Sequence, residues 1–248
     1  MASPIDIKVW GEYACFTRPE FKVERVSYPV ITPSAARGIL EAIYWKPQFR
    51  YCIQSIGILK QGTQFALLRN EIKSRQSETP NSKSVEEHYV VAEEDRAQRT
   101  SLVLQNVRYR IIARIELRNG ETNIGKHLDC FRRRAERGEC YHRPYLGCRE
   151  FAADFEPATD ADEPDDTLNL SIGTMLFDTA YIKNSEWYDK HPEDRLEFWR
   201  HDGREPEEVK GYAKRLFFIN AEVKNGWLNV PREKYDELTQ LEAGDGTA

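Results

Sequence analysis

The sequence predicts an α+β fold, in which alternating strands are interleaved with amphipathic helices. The clearest strand is NVRYRIIARIELR, residues 106–118, where apolar side chains alternate with mostly charged ones. Two other stretches, residues 32–47 and residues 123–138, place apolar side chains three and four positions apart, as on one face of a helix. Periods of two and of 3.6 residues in one chain indicate strands and helices that share a core.

The first strand and the first helix have clear boundaries in the sequence. IDIKVW, residues 5–10, alternates apolar and polar side chains and predicts a strand. TPSAARGILEAIYWKP then offers Thr32 as the N-cap, Pro33 at the first helical position and Pro47 as the residue that stops the helix. We therefore expect one strand and one helix before residue 50.

The following elements complete the N-terminal part. RYCIQSIGILK, residues 50–60, is rich enough in β-branched side chains for a second strand, and REFAADFE, residues 149–156, predicts a fourth after the strand and helix of residues 106–138. Residues 61–100 have no regular pattern and gather Ser, Glu, Pro and Asn, which predicts an insertion or flexible loop. The order β-α-β-β-α-β is that of a ferredoxin-like domain, which RNA-binding RRM modules share.

The C-terminal part predicts a smaller antiparallel β region. Residues 158–167 form an acidic linker, after which SIGTMLFDTAYI, residues 171–182, and LFFINAEVKNGWLNVP, residues 216–231, predict strands. The Asn-Gly dipeptide in the second of these predicts a type I′ hairpin. Residues 184–210 are a polar excursion, and we expect the tail from residue 239 to be disordered.

Charge divides the chain in the same way. Residues 1–150 carry 25 lysines and arginines against 18 acidic residues, a net charge of +7, whereas residues 151–248 carry 11 against 23, a net charge of −12. A basic portion is typical of a surface that meets a polyanion, although an uneven solvated surface gives the same counts. We expect a ferredoxin-like domain over residues 1–157, with the insertion at about 61–100, and an acidic β region over residues 158–248 that contacts protein rather than phosphate.

The composition disfavours several classes of protein. No apolar run reaches the roughly 18 residues that a membrane span requires, and the N-terminus lacks a basic region followed by an apolar stretch, so we expect a cytoplasmic protein without a membrane partner. The five cysteines are an odd number without CxxC spacing, which disfavours a disulfide framework and a Cys-rich zinc site. The five histidines form neither HExxH nor HxH, so we expect no metal and no cofactor.

Two positions carry side chains suited to phosphate chemistry. Lys126 and His127 lie in the first turn of the second predicted helix, where free backbone N–H groups and the helix dipole favour anions. Tyr44 and Lys46 lie at the end of the first helix. Each position has an ordinary alternative, a solvated Lys-His dipeptide in one case and a half-buried packing aromatic in the other. Two helices that pack side by side on one sheet face would allow Tyr44, Lys126 and His127 to converge.

Six blocks of the sequence resemble, in order, the CRISPR-associated RAMP proteins of subtype I-C, the fifth-numbered Cas family of the Dvulg type. The blocks are GEYACFTRPEFKVERVSYPV, TPSAARGILEAIYWKP, LLRNEIKSR, EEDRAQRTSLVLQNVRY, GKHLDCFRRRAERGE and LGCREFAADFE. The resemblance is dense over residues 7–157 and continues through SIGTML and the NGWLNVP hairpin. Residues 61–100 and 184–210 match poorly, in keeping with their composition.

The resemblance implies a metal-independent endoribonuclease that cuts precursor CRISPR RNA in the repeat hairpin by attack of a 2′-hydroxyl. It implies that the protein then stays on the mature 5′ handle as a subunit of the type I-C interference complex, beside the backbone and large subunits, and meets target DNA only indirectly. The catalytic tyrosine of the family falls on Tyr44, and its lysine and histidine fall on Lys126 and His127. Relatives in other subtypes only hold the 5′ handle, so a non-catalytic scaffold is the alternative.

The chemistry assigns roles to these three side chains without fixing all of them. We assign charge stabilisation to Lys126 and proton transfer to His127, while Tyr44 either orients the 2′-hydroxyl or acts as the base. For the phosphates of the hairpin we expect basic residues around the helices and the insertion, each of which has a solvated surface as its alternative. These residues are Arg18, Lys22, Arg25, Arg37, Lys46, Arg69, Lys73 and Arg75. Arg132, Arg133 and Arg134 can equally face a partner subunit.

Overall fold

Two antiparallel sheets and four helices make up the part of the chain that the computed structural model describes, residues 4–21, 23–73, 92–201 and 206–243. In chain order the elements are β1 (Ile5–Ala14), α1 (Pro33–Ile43), β2 (Phe49–Lys60), β3 (Thr63–Ile72), β4 (Arg96–Leu117), α2 (Ile124–Arg137), β5 (Asp154–Pro157), β6 (Leu170–Lys183), α3 (Ser185–Lys190), a 3₁₀ turn (Pro192–Asp194), β7 (Leu196–Arg200), β8 (Glu207–Val223), β9 (Trp227–Asn229) and α4 (Arg232–Ala243). The chain is therefore a mixed α/β protein.

The larger sheet has the strand order β5-β1-β4-β2-β9, and β3 pairs with the N-terminal half of β4. The named strands in it all pair antiparallel. Val107, Tyr109, Ile111 and Ala113 on β4 are buried, as the strict alternation predicts, and Arg110 on the other face forms an ion pair with Asp6 of β1. This buried face of the sheet carries α1 and α2.

The start of α1 is set by the predicted capping residues, whereas its end lies four residues before Pro47, the predicted stop. The hydroxyl of Thr32 accepts a hydrogen bond from the backbone N–H of Ala35 at 3.2 Å, and Pro33 begins the helix. The helix ends at Ile43, and Tyr44 is its extended C-cap. Tyr44 therefore leaves the helix axis instead of continuing it.

The second helix is confirmed in the same detail. The amide oxygen of Asn123 accepts a hydrogen bond from the backbone N–H of Lys126 at 3.2 Å. Gly138 ends the helix in the left-handed conformation, with φ at 65°, which costs glycine nothing because it has no Cβ. His127, Leu128 and Phe131 face the core.

The prediction of a loop over residues 61–100 is wrong where the structure describes that segment. Thr63 to Ile72 pair in continuous register with Gln105 to Arg96, so β3 and the first half of β4 form a long hairpin. Most of β3 is exposed on both faces, which leaves no apolar alternation for a sequence pattern to detect. Residues 74–91 lie outside the described residues. The fourth predicted strand is shorter than expected, because only Asp154–Pro157 pairs with β1.

The second sheet has three strands in the order β6-β8-β7. The polar excursion of residues 184–210 is therefore not irregular throughout, because it contains α3 and β7, and β7 pairs with β8. The expectation of a disordered tail from residue 239 is also wrong in part, since α4 extends to Ala243 and buries Tyr235 and Leu238. Residues 244–248 lie outside the described part of the chain.

The C-terminal part returns to the larger sheet. Asn225 and Gly226 both have positive φ, at 47° and 76°, as the predicted type I′ turn requires. The strand after this turn, β9, pairs with β2. The backbone N–H of Ile53 on β2 donates to the Tyr235 hydroxyl of α4 at 2.8 Å. The last two described elements thus pack against the strand that follows α1.

Candidate active site

A hydrogen bond between Tyr44 and His127 joins the end of α1 to the start of α2. The Tyr44 hydroxyl lies 3.0 Å from Nδ1 of His127, although the two residues are 83 positions apart in the chain. Tyr44 is 7% exposed and His127 2% exposed. The C-cap geometry of Tyr44 and the first-turn position of His127 direct the two side chains toward each other, so the structure brings together two of the three predicted catalytic residues.

Glu121 connects His127 to Lys126, the third predicted residue. One carboxylate oxygen of Glu121 lies 3.4 Å from Nε2 of His127 and also forms an ion pair with the Lys126 ammonium. The other oxygen accepts the backbone N–H groups of Thr122 and Asn123, each at 2.9 Å. The lysine and these N–H groups hold the pKa of Glu121 at about 2, so it is a carboxylate at neutral pH.

The two aromatic groups are both neutral at neutral pH. Burial lowers the pKa of His127, and the positive charges of Lys126 and Lys46 lower it further, against the opposing effect of Glu121. Burial also raises the pKa of Tyr44, with Cys130 as the next cause. A neutral phenol and a neutral imidazole are the forms that can share one proton along a hydrogen bond.

Aromatic and cationic neighbours fix the orientation of Tyr44. The ring of Phe49 stacks on that of Tyr44 with centroids 5.7 Å apart and lies 4.7 Å from that of His127. The guanidinium of Arg134 lies 5.3 Å from the centre of the Tyr44 ring, and its Nη1 donates to the carbonyl of Ile43 at 2.7 Å. Arg134 thus holds the end of α1, rather than being free to face a partner.

Lys126 and Lys46 place positive charge at the opening of this site. The side chain of Lys126 is 51% exposed, and Lys46 is exposed two residues after Tyr44. The positive charges of both lysines lower the pKa of His127. A phosphate that approached Tyr44 would therefore meet two cations.

Arg37, one of the predicted RNA contacts, is engaged within the protein. Its Nε and Nη2 donate to the two carboxylate oxygens of Asp178 at 2.8 Å each, and its Nη1 donates to Glu41 at 2.6 Å. Asp178 lies on β6, so this bidentate pair ties α1 to the second sheet. Two carboxylates already match the charge of Arg37.

Arg25 and Arg69 share one carboxylate, far from Tyr44. Their Nη1 atoms lie 3.1 Å and 2.9 Å from the same oxygen of Glu150. Arg69 pairs with Arg99 in the β3–β4 hairpin, whereas Phe49, beside His127, pairs with Leu117 at the other end of β4. These arginines form a separate basic surface.

Of the other predicted RNA contacts, Arg18 and Lys73 lie within the described residues. Arg18 lies over the ring of Tyr28, 4.6 Å from its centre, and Lys73 is exposed at the end of β3. Lys22 and Arg75 lie outside the described residues. Sequence reasoning missed Glu121, Phe49 and Arg134; of these, Glu121 had a local signal, an acidic residue two positions before a helix N-cap.

The fold and site define a class: a mixed α/β protein with two antiparallel sheets, whose two sheet-packed helices meet at a buried tyrosine–histidine pair flanked by lysines. Over the described residues no group of three or more His, Cys, Asp or Glu side chains is placed to hold a metal ion, and none of the described helices is long and apolar enough to cross a membrane. The sequence pattern of the CRISPR-associated protein family Cas_Cas5, of the Cas5d type, matches residues 5–231. The chain belongs to this family.

Two curated relatives agree with the family assignment. The chain is 52% identical over 241 residues to the "CRISPR pre-crRNA endoribonuclease Cas5d" of Thermus thermophilus, with 97% of this chain and 96% of the relative covered. It is 39% identical over 245 residues to the protein of the same name from Mannheimia succiniciproducens, with 93% and 96% covered. A solved structure titled "Crystal Structure of CRISPR-associated Protein" covers 94% of each chain with a TM-score of 0.59 at 18% identity, so it is similar in fold.

Proposed function

We propose that this chain is a metal-independent endoribonuclease that cleaves precursor CRISPR RNA in the repeat hairpin. The 3.0 Å hydrogen bond between Tyr44 and His127, with Lys126 beside it, is the observation that carries the proposal. The names of the two curated relatives support the same activity. Tyr44, Lys126 and His127 are proposed as the catalytic residues because they offer a proton path and a cation at one place.

The proposed reaction uses the RNA as its own nucleophile. The 2′-oxygen attacks the adjacent phosphorus, a new P–O2′ bond forms, and the P–O5′ bond breaks. The 2′-hydroxyl proton goes to a base on the protein, and the leaving 5′-oxygen takes up a proton. The products are a 2′,3′-cyclic phosphate and a 5′-hydroxyl, and no oxidant, reductant or metal is required.

Tyr44 and His127 are proposed to act as a relay for the first proton. An isolated phenol is a weak base at neutral pH, and burial raises the pKa of Tyr44 further. His127 is neutral, so its Nδ1 can take the phenolic proton as Tyr44 accepts the proton of the 2′-hydroxyl. The imidazolium that forms faces Glu121 through Nε2, at 3.4 Å. The relay places Tyr44 next to the RNA and His127 behind it, in keeping with the burial of His127.

Lys126 is proposed to stabilise the negative charge that builds on the phosphorane. Its ammonium is paired with Glu121 and half-exposed before RNA binds. When His127 becomes positively charged, Glu121 gains a second cationic partner, which loosens its hold on Lys126. The lysine is then available to a non-bridging phosphate oxygen as the charge develops.

We propose that the arrangement of strands and helices is ferredoxin-like, as in RAMP proteins, and that the chain has domains over residues 1–157 and 158–248. Two observations support this proposal. If β1, β2, β4 and β5 are counted as the first to fourth strands of a β-α-β-β-α-β unit, their order in the sheet is fourth, first, third, second, as in a ferredoxin-like domain. In addition, α1 and α2 pack on one face of the sheet. The β3–β4 hairpin extends from this unit at the predicted insertion. Away from the residues of β6 and β7 that face the segment after α1, the acidic C-terminal sheet is proposed to contact protein rather than RNA.

The hairpin stem is proposed to lie on the basic residues predicted from the sequence, with Lys46 nearest the reaction. Arg18, Arg25, Arg69 and Lys73 stay predictions for the outer part of the stem, as do Lys22 and Arg75. After cleavage the protein is proposed to keep the 5′ handle as a cytoplasmic subunit of the type I-C interference complex, with the backbone and large subunits as partners and target DNA met only indirectly.

The test is incubation of purified protein with its repeat RNA in EDTA. We expect a single cut, a 2′,3′-cyclic phosphate on the 5′ fragment, and no cut when the scissile nucleotide carries a 2′-deoxy sugar. The deoxy RNA should bind as tightly as the all-ribose RNA. RNA that is bound but left intact would show a non-catalytic 5′-handle scaffold and would overturn the enzymatic proposal.

A further inference from the structure

A cleft of about 440 Å³ opens beside the candidate active site. It lies where the segment after α1 and the first residues of β2 face β7 and α4, and Trp45, Phe49 and Trp199 are among its lining residues. Phe49 is shared with the active site, since its ring also contacts His127 at 4.7 Å between centroids. The volume falls within the roughly 300–1,000 Å³ of small-molecule sites. A ligand in this cleft would be separated from the Tyr44–His127 pair by a single ring.

The cleft is lined by aromatic rings that are open to solvent. Trp45 is 42% exposed, Tyr181 44% and Trp199 60%. His201 contacts Trp45 edge to face, with centroids 5.4 Å apart and an interplanar angle of 76°. Open aromatic faces are what unpaired bases stack on.

Arginines line the same cleft, together with Glu41 and Glu242. Arg50 forms an ion pair with Glu242, Nη2 of Arg118 lies 3.8 Å from the same carboxylate oxygen, and Nη2 of Arg200 donates to the Glu242 carbonyl at 3.4 Å. Three guanidinium groups thus converge on one acidic residue. In addition, Nη1 of Arg50 is buried without a hydrogen-bond partner among the described residues. Guanidinium groups beside open rings suit a nucleotide, which presents both a base and a phosphate.

We propose that this cleft binds one unpaired nucleotide of the RNA next to the scissile phosphate, with its base stacked on Trp45 and Trp199 and its phosphate near the arginines around Glu242. The inference rests on the proposed function, because it assigns a specificity subsite to the same RNA. The subsite would require that the nucleotide beside the cut be unstacked from the hairpin. Recognition would come from the π-face and the phosphate, so any base would fit better than none.

The first experiment removes single bases from the RNA. Repeat RNAs with one abasic nucleotide at each of the positions around the cut are compared in single-turnover cleavage. We expect one position to lose roughly ten- to hundredfold in kcat/KM, as for loss of one base–aromatic stack. With intact RNA, Trp45→Ala should lower kcat/KM by about the same factor. With the sensitive abasic RNA, Trp45→Ala should cause no further drop in kcat/KM.

Matched variants separate the cleft from general damage. Trp199→Ala, at a mostly exposed position, should show the same non-additivity with the same abasic position. Trp10→Leu is the control, because Trp10 lies on β1 opposite Arg108, roughly 30 Å along β4 from Arg118. Trp10→Leu should cleave like the unaltered protein and keep the full abasic penalty. Thermal unfolding of each variant identifies any that fail to fold.

A fluorescence measurement tests the subsite without relying on cleavage. The 2′-deoxy repeat RNA with 2-aminopurine at the sensitive position should be quenched on binding to the unaltered protein and not to a Trp45→Ala, Trp199→Ala double variant. If the unaltered protein cuts no repeat RNA but quenches the 2-aminopurine of the bound RNA, the endoribonuclease proposal fails. The quenching would still support the subsite proposal. Two results would overturn the subsite proposal and leave the endoribonuclease proposal intact. In one, the abasic RNA is still cut more slowly than intact RNA by both tryptophan variants. In the other, both variants cleave intact RNA at the original rate.

Discussion

The Tyr44 hydroxyl and Nδ1 of His127 lie 3.0 Å apart and both residues are buried, although they belong to the ends of different helices. The hydrogen bond depends on two helix boundaries. α1 must end at Ile43 so that Tyr44 turns away as an extended residue, and α2 must begin so that His127 falls on its buried face. A change in either cap would therefore act on catalysis through geometry alone.

Tyr44→Phe should abolish most of the cleavage while leaving RNA binding intact. The substitution keeps the ring against Phe49 and removes only the hydroxyl that forms the hydrogen bond with His127. Loss of a positioned proton-transfer group costs roughly 10²–10⁴-fold in rate. Single-turnover cleavage and equilibrium binding of the deoxy RNA measure the two effects. A Tyr44→Phe protein that cuts within about threefold of the original rate would rule out the relay, since a lost proton-transfer group costs far more.

His127 should make the free energy of unfolding depend on pH. Its pKa is lowered in the folded protein by burial, so the unfolded chain binds the proton more readily. This contribution is fully present above the unfolded pKa of about 6.5 and is lost as the pH falls from there through the lower folded pKa. Urea unfolding of the unaltered protein and of His127→Gln, from mildly acidic to neutral pH, measures this contribution. The unfolding free energy of the unaltered protein minus that of His127→Gln should grow with pH in this window. A difference that does not change with pH would contradict the prediction.

Glu121→Gln should weaken catalysis and leave RNA binding equal or tighter. The change removes the partner of the imidazolium formed in the relay, and also a negative charge near the RNA. We expect roughly a ten- to hundredfold drop in the single-turnover rate, within the range for general acid–base groups and their supports. Because Glu121 raises the pKa of His127, the acidic limb of the pH–rate profile should move to lower pH. An acidic limb that does not move would show that Glu121 has no effect on the protonation of His127.

Arg37 should prove to stabilise the fold, and its role in RNA binding can be measured in the same protein. Breaking its pair with Asp178 should cost about 2–3 kcal/mol, less than for a fully buried pair because the guanidinium is partly exposed. Arg37→Gln and Asp178→Asn should lower the free energy of unfolding by similar, non-additive amounts. A phosphate contact would also lower the slope of log affinity against log salt by about 1 in Arg37→Gln but not in Asp178→Asn. We expect no change in slope.

The sequence is sufficient for elements whose signals are local. Thr32 and Pro33 mark the start of α1 through a short-range hydrogen bond and backbone geometry, and the structure confirms both. The β3 strand escapes prediction because its exposed faces carry no periodic apolar signal, and the β9 strand because three residues cannot specify which sheet they join. Such pairings are decided by contacts between distant segments.

The candidate site divides in the same way. The resemblance is enough to identify Tyr44, Lys126 and His127 as candidate catalytic residues. That their side chains lie close together depends on how α1 and α2 pack on the sheet. Glu121 and Phe49 belong to the site only through that packing. No spacing in the sequence connects Phe49 with His127, 78 positions later.

The pairing of β9 with β2 has a consequence for how the protein is made. A ribosome that has released only residues 1–157 has produced β1, β2, β4 and β5, but the outer edge of β2 still lacks its neighbour. An uncovered edge is a template for pairing with other chains. The nascent chain therefore stays exposed to misassembly until Trp227–Asn229 emerges, and a fragment cut at the boundary of the two regions should aggregate.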